Sequence, residues 1–318
     1  MRSLYRGLLE REGSGAEVDL WRRALQQGVT LETIVREFAW SPERTQLMAR
    51  LPRPLPPPLQ VNPPLTILDV GAQALEGEDD AFRPLLNGGK CTVIGVEPLE
   101  DTHGERLKRD PSWNLLPHYA GDGTRRIFHR TERSSSSSLY EPNLDRLGDF
   151  EGLAEMITVV ESMEVETTRL DDVVHERIDM LKLDVQGAEL DILRGAERLL
   201  EDVLVIHAEV EFFPIYNDQP LFDDVFRFLV ARGFELFDLP RLVRYSYDGM
   251  SDRLERLLWA DSVFVPTRAR IDRLDGLGTN RLARIMHDGY GAVGFSEWLI
   301  QRHSLREVES TRTTASEG

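Results

Sequence analysis

Residues 178–200, IDMLKLDVQGAELDILRGAERLL, decide the fold, because an apolar strand leads through a small-residue turn into an amphipathic helix. The apolar run from Ile178 to Val185 predicts a buried strand. Lys182 and Asp184 interrupt the run, and their spacing of two places both side chains on one face of the strand. Open α/β sheets bind ligands at the carboxyl ends of their strands, so this pair predicts a ligand site.

Composition restricts the class of protein. The 318 residues are 41% hydrophobic, which suits one large α/β domain with a small appendage. The net charge of −17 disfavours binding to nucleic acid or to an anionic membrane. The single cysteine, Cys91, precludes an intramolecular disulfide and indicates a reducing compartment. No window approaches the ~18 consecutive apolar residues of a membrane span, so we expect a cytoplasmic protein.

The chain divides into four predicted segments. Residues 1–50 predict a small module of three short helices, and residues 51–64 contain seven prolines, which indicates an extended linker. Residues 65–266 carry the alternating strands and helices of the main domain. Residues 267–318 predict C-terminal helices followed by a polar tail.

The beginning of the main domain predicts a nucleoside-binding half-sheet. The strand LTILDV ends at Asp69 and Val70 and enters a turn at Gly71 and Ala72, and the strand CTVIGV is followed by Glu97. A glycine turn lets the backbone approach a nucleoside, and a carboxylate at the next strand end accepts hydrogen bonds from both ribose hydroxyls. Asp69, Gly71, Ala72 and Glu97 are therefore candidate cofactor-binding residues.

Asp122 is a further candidate, because it follows a third predicted strand over residues 113–119 and lies between two glycines. A carboxylate at that strand end is placed to accept a hydrogen bond from an adenine amino group. An Asp-Gly pair equally predicts a simple turn, since the sequence after it alternates like the second arm of a hairpin. Both interpretations remain open.

The acceptor side of the site is predicted from two stretches. In VLVIHAEVE, His207, Glu209 and Glu211 alternate and so share one face of a strand whose other residues are apolar. Buried ionisable groups are costly without partners, which favours a functional site over a structural one. The serine run 134–138 predicts a polar loop over the cleft, with Ser137 and Ser138 as candidate contacts.

Seven motifs in a fixed order resemble the FkbM family of S-adenosylmethionine-dependent methyltransferases over about residues 65–266. They are LDVGA, VIGVEP, SSSSSLYEPN, TTRLDDV, IDMLKLDVQGAELDILRGA, VIHAEVEFFPIYNDQPLFDDVFRFLVARGFELFDL and LLWADSVFV. The resemblance implies a Rossmann-like, seven-stranded class I methyltransferase sheet that is mostly parallel, with the last strand antiparallel. This chain departs from the family pattern at Gln73 and Leu75, where Asn and Gly are usual, and at Gln186, where Glu is usual. Residues 1–50 resemble a short bacterial module of unassigned function that is often attached to carbohydrate-handling or cell-surface proteins.

The resemblance implies that S-adenosylmethionine is the cofactor and that methyl transfer goes to a hydroxyl of a small-molecule or glycan acceptor, either a sugar or glycoconjugate or a natural product. Gly71, Glu97, Asp122 and Asp184 would hold the cofactor. His207 is the first candidate base, because its reference pKa is about 6.5, with Asp184 and Lys182 beside it. As an alternative, Asp184 with Glu209 or Glu211 would hold Mg²⁺, which acidifies the acceptor hydroxyl.

Two other functions also stay open at the level of sequence. The first two strands and their turn would equally serve a nicotinamide-dependent oxidoreductase, although a complete GxGxxG is missing. A non-catalytic nucleoside-binding protein is the other alternative, with the N-terminal module mediating assembly into a homo-oligomer.

Overall fold

A computed structural model describes residues 14–26, 64–74, 81–87, 91–250 and 255–316. Of the predicted N-terminal module it includes one helix, and the rest of the module lies outside the described residues, as do most of the proline-rich stretch and Leu75. None of the helices in the described ranges is long and apolar enough to span a membrane.

The chain forms nine described strands, seven of which build one sheet. They are β1 (Leu65–Val70), β2 (Cys91–Val96), β3 (Asn114–Leu116), β4 (Arg125–Thr131), β5 (Val159–Glu166), β6 (Met180–Leu183), β7 (Val205–Glu211), β8 (Phe234–Tyr245) and β9 (Arg256–Pro266). The order in the large sheet is β3-β2-β1-β6-β7-β9-β8, and β4 and β5 form a separate antiparallel pair. Only β9 runs antiparallel to its neighbours in the large sheet, as the sequence predicted.

The described helices connect the strands and cover both faces of the sheet. They are α1 (Gly15–Gln26), α2 (Arg83–Asn87), α3 (Glu100–Arg109), α4 (Leu144–Leu147), α5 (Leu153–Met156), α6 (Leu170–Val173), α7 (Glu189–Arg194), α8 (Phe222–Ala231), α9 (Arg268–Ile271), α10 (Gly276–Arg284) and α11 (Val293–Ser316). Helix α11 continues to Ser316, so the polar tail expected at the C-terminus is helical there.

Apolar side chains on both faces of the central strands explain the two-sided packing. Leu68, Leu181 and Ile206 lie in one core with the residues of α7 and α8. Ile67 and Met180 lie in a second core with α2 and the C-terminal helices. Because parallel strands buried on both faces must be apolar almost throughout, these runs could be recognised in the sequence.

The strand order creates a crevice at the centre of the sheet. Strand β1 pairs with β2 on one side and β6 on the other, and β6 pairs with β7, all in parallel. The chain passes from β1 to β2 on one side and from β6 to β7 on the other, so the strand order reverses between β1 and β6. Open α/β sheets bind ligands at the carboxyl ends of the strands at such a point. The predicted site residues lie at this edge.

Candidate active site

A cavity of about 650 Å³ opens at the carboxyl ends of β1, β2, β6 and β7. Its volume is within the range of small-molecule sites. The cavity is lined by most of the residues that the sequence predicted, which are Gly71, Glu97, Ser137, Ser138, Lys182, Asp184, His207, Glu209 and Glu211. These predicted residues therefore lie around one continuous cavity.

The turn after β1 allows other groups to lie close to its backbone. Gly71 has φ 80°, a left-handed conformation that favours glycine. A Cβ atom at Gly71 would collide with the backbone oxygen of Asp184, so the turns after β1 and β6 touch through this glycine. Arg106 of α3 holds the same turn, because its Nε donates to the Ala72 oxygen at 2.7 Å and its Nη2 donates to the Gln73 oxygen at 2.8 Å.

Glu97 lies at the end of β2 and is 5% exposed. Its Oε1 accepts a hydrogen bond from the Leu99 backbone N–H at 3.0 Å, which fixes the carboxylate at the cavity wall. Burial raises the pKa of Glu97, and the nearby Asp69 and Asp101 carboxylates add to the shift. A carboxylate held this way is suited to accept two hydroxyl donors from a ligand that replaces its lost water.

A row of ionisable residues crosses three adjacent strands. Asp69, Lys182 and His207 are register partners on β1, β6 and β7. The Lys182 Nζ lies 3.2 Å from Asp69 Oδ1 and 3.5 Å from Asp184 Oδ2. Lys182 therefore stabilises the fully buried Asp69 and at the same time orients Asp184, whose side chain is 35% exposed, at the cavity surface.

His207 is buried at the base of the cavity. Burial is the main cause that lowers its pKa to about 4, with the positive charge of Lys182 acting in the same direction. The imidazole is therefore neutral at neutral pH. Its Nδ1 lies 3.0 Å from the Tyr290 hydroxyl, and its Nε2 lies 3.9 Å from Asp261 Oδ2.

The carboxylates of β7 form a buried group with residues of the turn after β6. Burial raises the pKa of Glu209 and of Glu211 well above the usual range, and the repulsion of neighbouring carboxylates adds to it. Burial also raises the pKa of Glu189 to about 7. The Gln186 amide lies within this group and donates to Asp184 Oδ1 at 3.0 Å and to Glu209 Oε1 at 2.9 Å.

The structure gives no support to the Mg²⁺ alternative. Across the described residues, no group of three or more His, Cys, Asp or Glu side chains is placed to hold a metal ion. Asp184 and Glu209 do approach each other, but through the nitrogen of the Gln186 amide. The two carboxyl groups are therefore bridged by a hydrogen-bond donor.

Three predicted cofactor residues do not line the cavity. Asp69 lies beneath it and pairs with Lys182, while Ala72 contributes a carbonyl to the turn that Arg106 holds. Asp122 accepts hydrogen bonds from the Thr124 N–H at 3.0 Å and from the Thr124 hydroxyl at 2.6 Å. Its carboxylate therefore closes a local turn, the simpler of the two interpretations of that Asp-Gly pair.

Several residues in or next to the cavity were not predicted. Tyr290 meets His207 from a helical turn 83 residues further along the chain, and no motif marks it. Tyr245 of β8 and Trp259 of β9 form an aromatic wall, with ring centroids 5.5 Å apart. Trp259 precedes Asp261 by two residues in the motif LLWADSVFV, and this alternation was the available signal for that wall.

The sheet and the site together define the class of protein. Numbered along the chain within the large sheet alone, the strands have the order 3-2-1-4-5-7-6 with one antiparallel member, which is the arrangement of class I methyltransferases. The glycine turn and the carboxylate at the next strand end lie at the central crevice, as that class requires.

The family model of the methyltransferase FkbM domain matches residues 69–236, more than half of the chain. The chain therefore belongs to the FkbM family of S-adenosylmethionine-dependent methyltransferases. No curated protein matches it significantly.

Solved structures that are similar to the chain have low sequence identity. Magnesium protoporphyrin IX methyltransferase from Synechocystis, with bound S-adenosylmethionine, is 13% identical, with 83% of this chain and 90% of that chain covered and a TM-score of 0.35. The methyltransferase FkbM from Methylobacillus flagellatus is 15% identical, with 81% and 58% covered and a TM-score of 0.34. A TehB-like S-adenosylmethionine-dependent methyltransferase from Corynebacterium glutamicum is 13% identical, with 79% and 96% covered and a TM-score of 0.31.

Proposed function

We propose that the protein transfers a methyl group from S-adenosylmethionine to a hydroxyl oxygen of a small-molecule or glycan acceptor. The observation that carries the proposal is one cavity with two chemically different ends. One end has the Gly71 turn and Glu97, and the other has His207 and a group of carboxylates. The first end suits a nucleoside, and the second suits a neutral acceptor that must lose a proton.

The cofactor end fits the nucleoside part of S-adenosylmethionine. Glu97 would accept hydrogen bonds from the ribose hydroxyls, and Gly71 would let the ligand lie against the backbone. Arg106 keeps the turn in place through its two carbonyl contacts, although Gln73 replaces the usual Asn of the family. When bound, the cofactor supplies an electrophilic methyl group, and the residues of the chain orient and deprotonate the acceptor.

The acceptor end offers His207 as the proposed base. The imidazole is neutral at neutral pH because its pKa is about 4, so one ring nitrogen has a free lone pair. If the Tyr290 oxygen accepts a hydrogen bond from Nδ1–H, the lone pair is on Nε2. Oxygen attack on the methyl carbon would break the carbon–sulfur bond, and the hydroxyl proton would go to this nitrogen. Asp184 and Lys182 would orient the acceptor.

The acceptor class is proposed from the character of the wall. Trp259 and Tyr245 provide flat apolar surfaces, and Ser137, Asp261 and Arg241 add polar groups around them. Sugar rings present both apolar C–H faces and hydroxyls, which such a wall would match. A sugar or glycoconjugate hydroxyl is therefore proposed, with a natural-product hydroxyl as the second acceptor class.

Calorimetry with S-adenosylmethionine, S-adenosylhomocysteine and NAD tests the first part of the proposal. We expect S-adenosylmethionine and S-adenosylhomocysteine to bind and NAD not to bind. Absence of binding by S-adenosylmethionine and by S-adenosylhomocysteine would refute a methyltransferase function.

The proposed base is tested with acceptors that support turnover. His207→Gln should lower kcat by roughly 10²–10⁴-fold and leave cofactor affinity unchanged. Full activity of His207→Gln would show that another group takes the proton.

The pH dependence of turnover gives a second test of the base. Because burial lowers the His207 pKa to about 4, the base form is already complete at neutral pH and is lost only as the pH falls through that value. The wild-type kcat should therefore show no inflection from His207 in the neutral range. An inflection there that disappears in His207→Gln would contradict the burial argument.

A further inference from the structure

Gln186 has a backbone conformation that needs an explanation. Its φ is 59°, and only one other described non-glycine residue, Asp218, has a positive φ. A left-handed conformation is unfavourable for a residue with a Cβ atom. The Ser138 hydroxyl supports this conformation by donating to the Gln186 backbone oxygen at 2.6 Å. Such local strain is typical of functional sites, and here it aims the side chain into the carboxylate group.

The orientation of the Gln186 amide follows from its neighbours. With the nitrogen towards Asp184 and Glu209, both carboxylate contacts, at 3.0 and 2.9 Å, are hydrogen bonds, and the amide oxygen lies 3.3 Å from the Tyr216 hydroxyl. The reversed amide would place an oxygen at those distances from two carboxylate oxygens. That arrangement is repulsive without a proton or cation between them.

The contacts of Asp184 show what the amide accomplishes. Lys182 lies 3.5 Å from Oδ2 and Gln186 donates to Oδ1, so both carboxylate oxygens are held. The second amide hydrogen goes to Glu209, which is 9% exposed. The charge of Asp184 opposes ionisation of the buried Glu209, and a shared divalent cation is one way to join two such groups. Here an N–H donor lies where such a cation would need an oxygen ligand.

We propose that Gln186 is a positioning residue that takes the place of a divalent cation, so that Asp184 and Glu209 are held for methyl transfer without a metal ion. This inference rests on the proposed function, because it concerns the acceptor end of the same site. The effect of Gln186 on the reacting atoms is indirect and passes through Asp184.

The test is to change the donor into an oxygen ligand. Gln186→Glu keeps the shape of the side chain and puts a third carboxylate beside Asp184 and Glu209, which is an oxygen-rich set for Mn²⁺ or Mg²⁺. Mn²⁺ would be titrated calorimetrically onto protein saturated with S-adenosylhomocysteine. We expect no detectable Mn²⁺ binding to the wild type, and binding to Gln186→Glu with a Kd at least ~10-fold below the weakest Kd that the titration can detect. The melting temperature of the variant should fall and be restored by Mn²⁺.

The matched control is Gln301→Glu, which makes the same change at an exposed position of α11. It should not bind Mn²⁺. Wild-type binding of Mn²⁺ that Asp184→Asn abolishes would overturn the proposal, and so would a Gln186→Glu variant that binds no more Mn²⁺ than the control. A purely structural Gln186 would lower the melting temperature without creating a metal site.

Failure of the proposed methyltransferase function can be distinguished from failure of the proposed role of Gln186. It would appear as absence of binding by S-adenosylmethionine and S-adenosylhomocysteine to the wild type. In that case the Mn²⁺ titrations are done on the protein alone and still decide the role of the amide.

When an acceptor supports turnover, wild-type kcat should be unchanged by excess chelator. Gln186→Glu in chelator should lose kcat with little change in the KM for the cofactor; a loss of wild-type kcat that Mn²⁺ restores would overturn the proposal.

Discussion

Replacing Glu97 by Gln should weaken cofactor binding without weakening the fold. The carboxylate ends β2 inside the cavity and accepts one hydrogen bond from the Leu99 N–H. The amide oxygen of Gln can keep that bond, but the variant loses one charge-assisted acceptor for the ribose hydroxyls. A hydrogen bond to a charged group contributes about 1.5–3 kcal/mol, which corresponds to a roughly 10–150-fold weaker Kd.

The Glu97 charge should favour cofactor binding but disfavour folding. Burial raises the folded-state pKa of Glu97 above its unfolded value, so the folded protein binds more protons than the unfolded chain in the pH window between the two pKa values. The contribution of Glu97 to stability is therefore lost as the pH rises through that window. The uncharged amide of Glu97→Gln avoids this loss at neutral pH, and the Tm of the variant should equal or exceed that of the wild type.

The assay is calorimetric titration with S-adenosylmethionine across the acidic to neutral range, with Tm measured on the same samples. Wild-type affinity should fall as the pH falls through the raised pKa of Glu97, because the protonated carboxyl has lost its charge. The affinity of Glu97→Gln should depend less on pH. Glu100→Gln is the control, since Glu100 is exposed in the first turn of α3. An affinity of Glu97→Gln within about twofold of wild type at neutral pH would refute the assignment.

Two further predictions concern the backbone and the core. Gly71→Ala should abolish measurable cofactor binding and lower the urea midpoint of unfolding, because the φ of 80° and the collision with Asp184 both oppose a Cβ atom. The control is Gly104→Ala, whose new Cβ has no atom near it. Equal cofactor binding by the two variants would contradict the prediction. Arg281→Met should lower the free energy of unfolding by about 3–5 kcal/mol, since it removes an ion partner from the fully buried Asp179. Addition of Asp179→Asn to Arg281→Met should recover most of the loss in urea unfolding, and additive losses would contradict this explanation.

The large sheet could be predicted because its strands are buried on both faces. Runs such as LTILDV and VLVIHAEV contain few polar residues, so the exceptions at Asp69, His207 and Glu209 indicated the edge of the sheet at which the cavity lies. The alternation of His207, Glu209 and Glu211 placed them on a common face from the sequence alone. Strand ends and the side-chain period therefore carried most of the information about the site.

The contacts that tune those residues could not be predicted. Tyr290 reaches His207 after the chain has passed through β8, β9, α9 and α10, and no local pattern encodes a meeting over that distance. Arg106 lies in a helix rich in charged residues and has the sequence context of a surface residue, but it is 1% exposed and bonded to two carbonyls of another turn. The sequence left two interpretations of Asp122 open, and its hydrogen bonds with Thr124 favour the local turn over adenine binding. An Asp carboxylate can accept hydrogen bonds within its own turn, and the sequence does not show whether it does.

The antiparallel placement of β9 has a consequence for how the acceptor pocket can diverge. Because β9 runs against β7, its first residues, Trp259 and Asp261 among them, lie beside the last residues of β7. Tyr245, at the end of β8, reaches the same edge. The segment that joins β8 to β9 therefore begins and ends at the aromatic wall of Tyr245 and Trp259, far along the chain from Gly71 and Glu97. Under the proposed function, we expect insertions or substitutions there to alter acceptor choice and to leave the cofactor half unchanged.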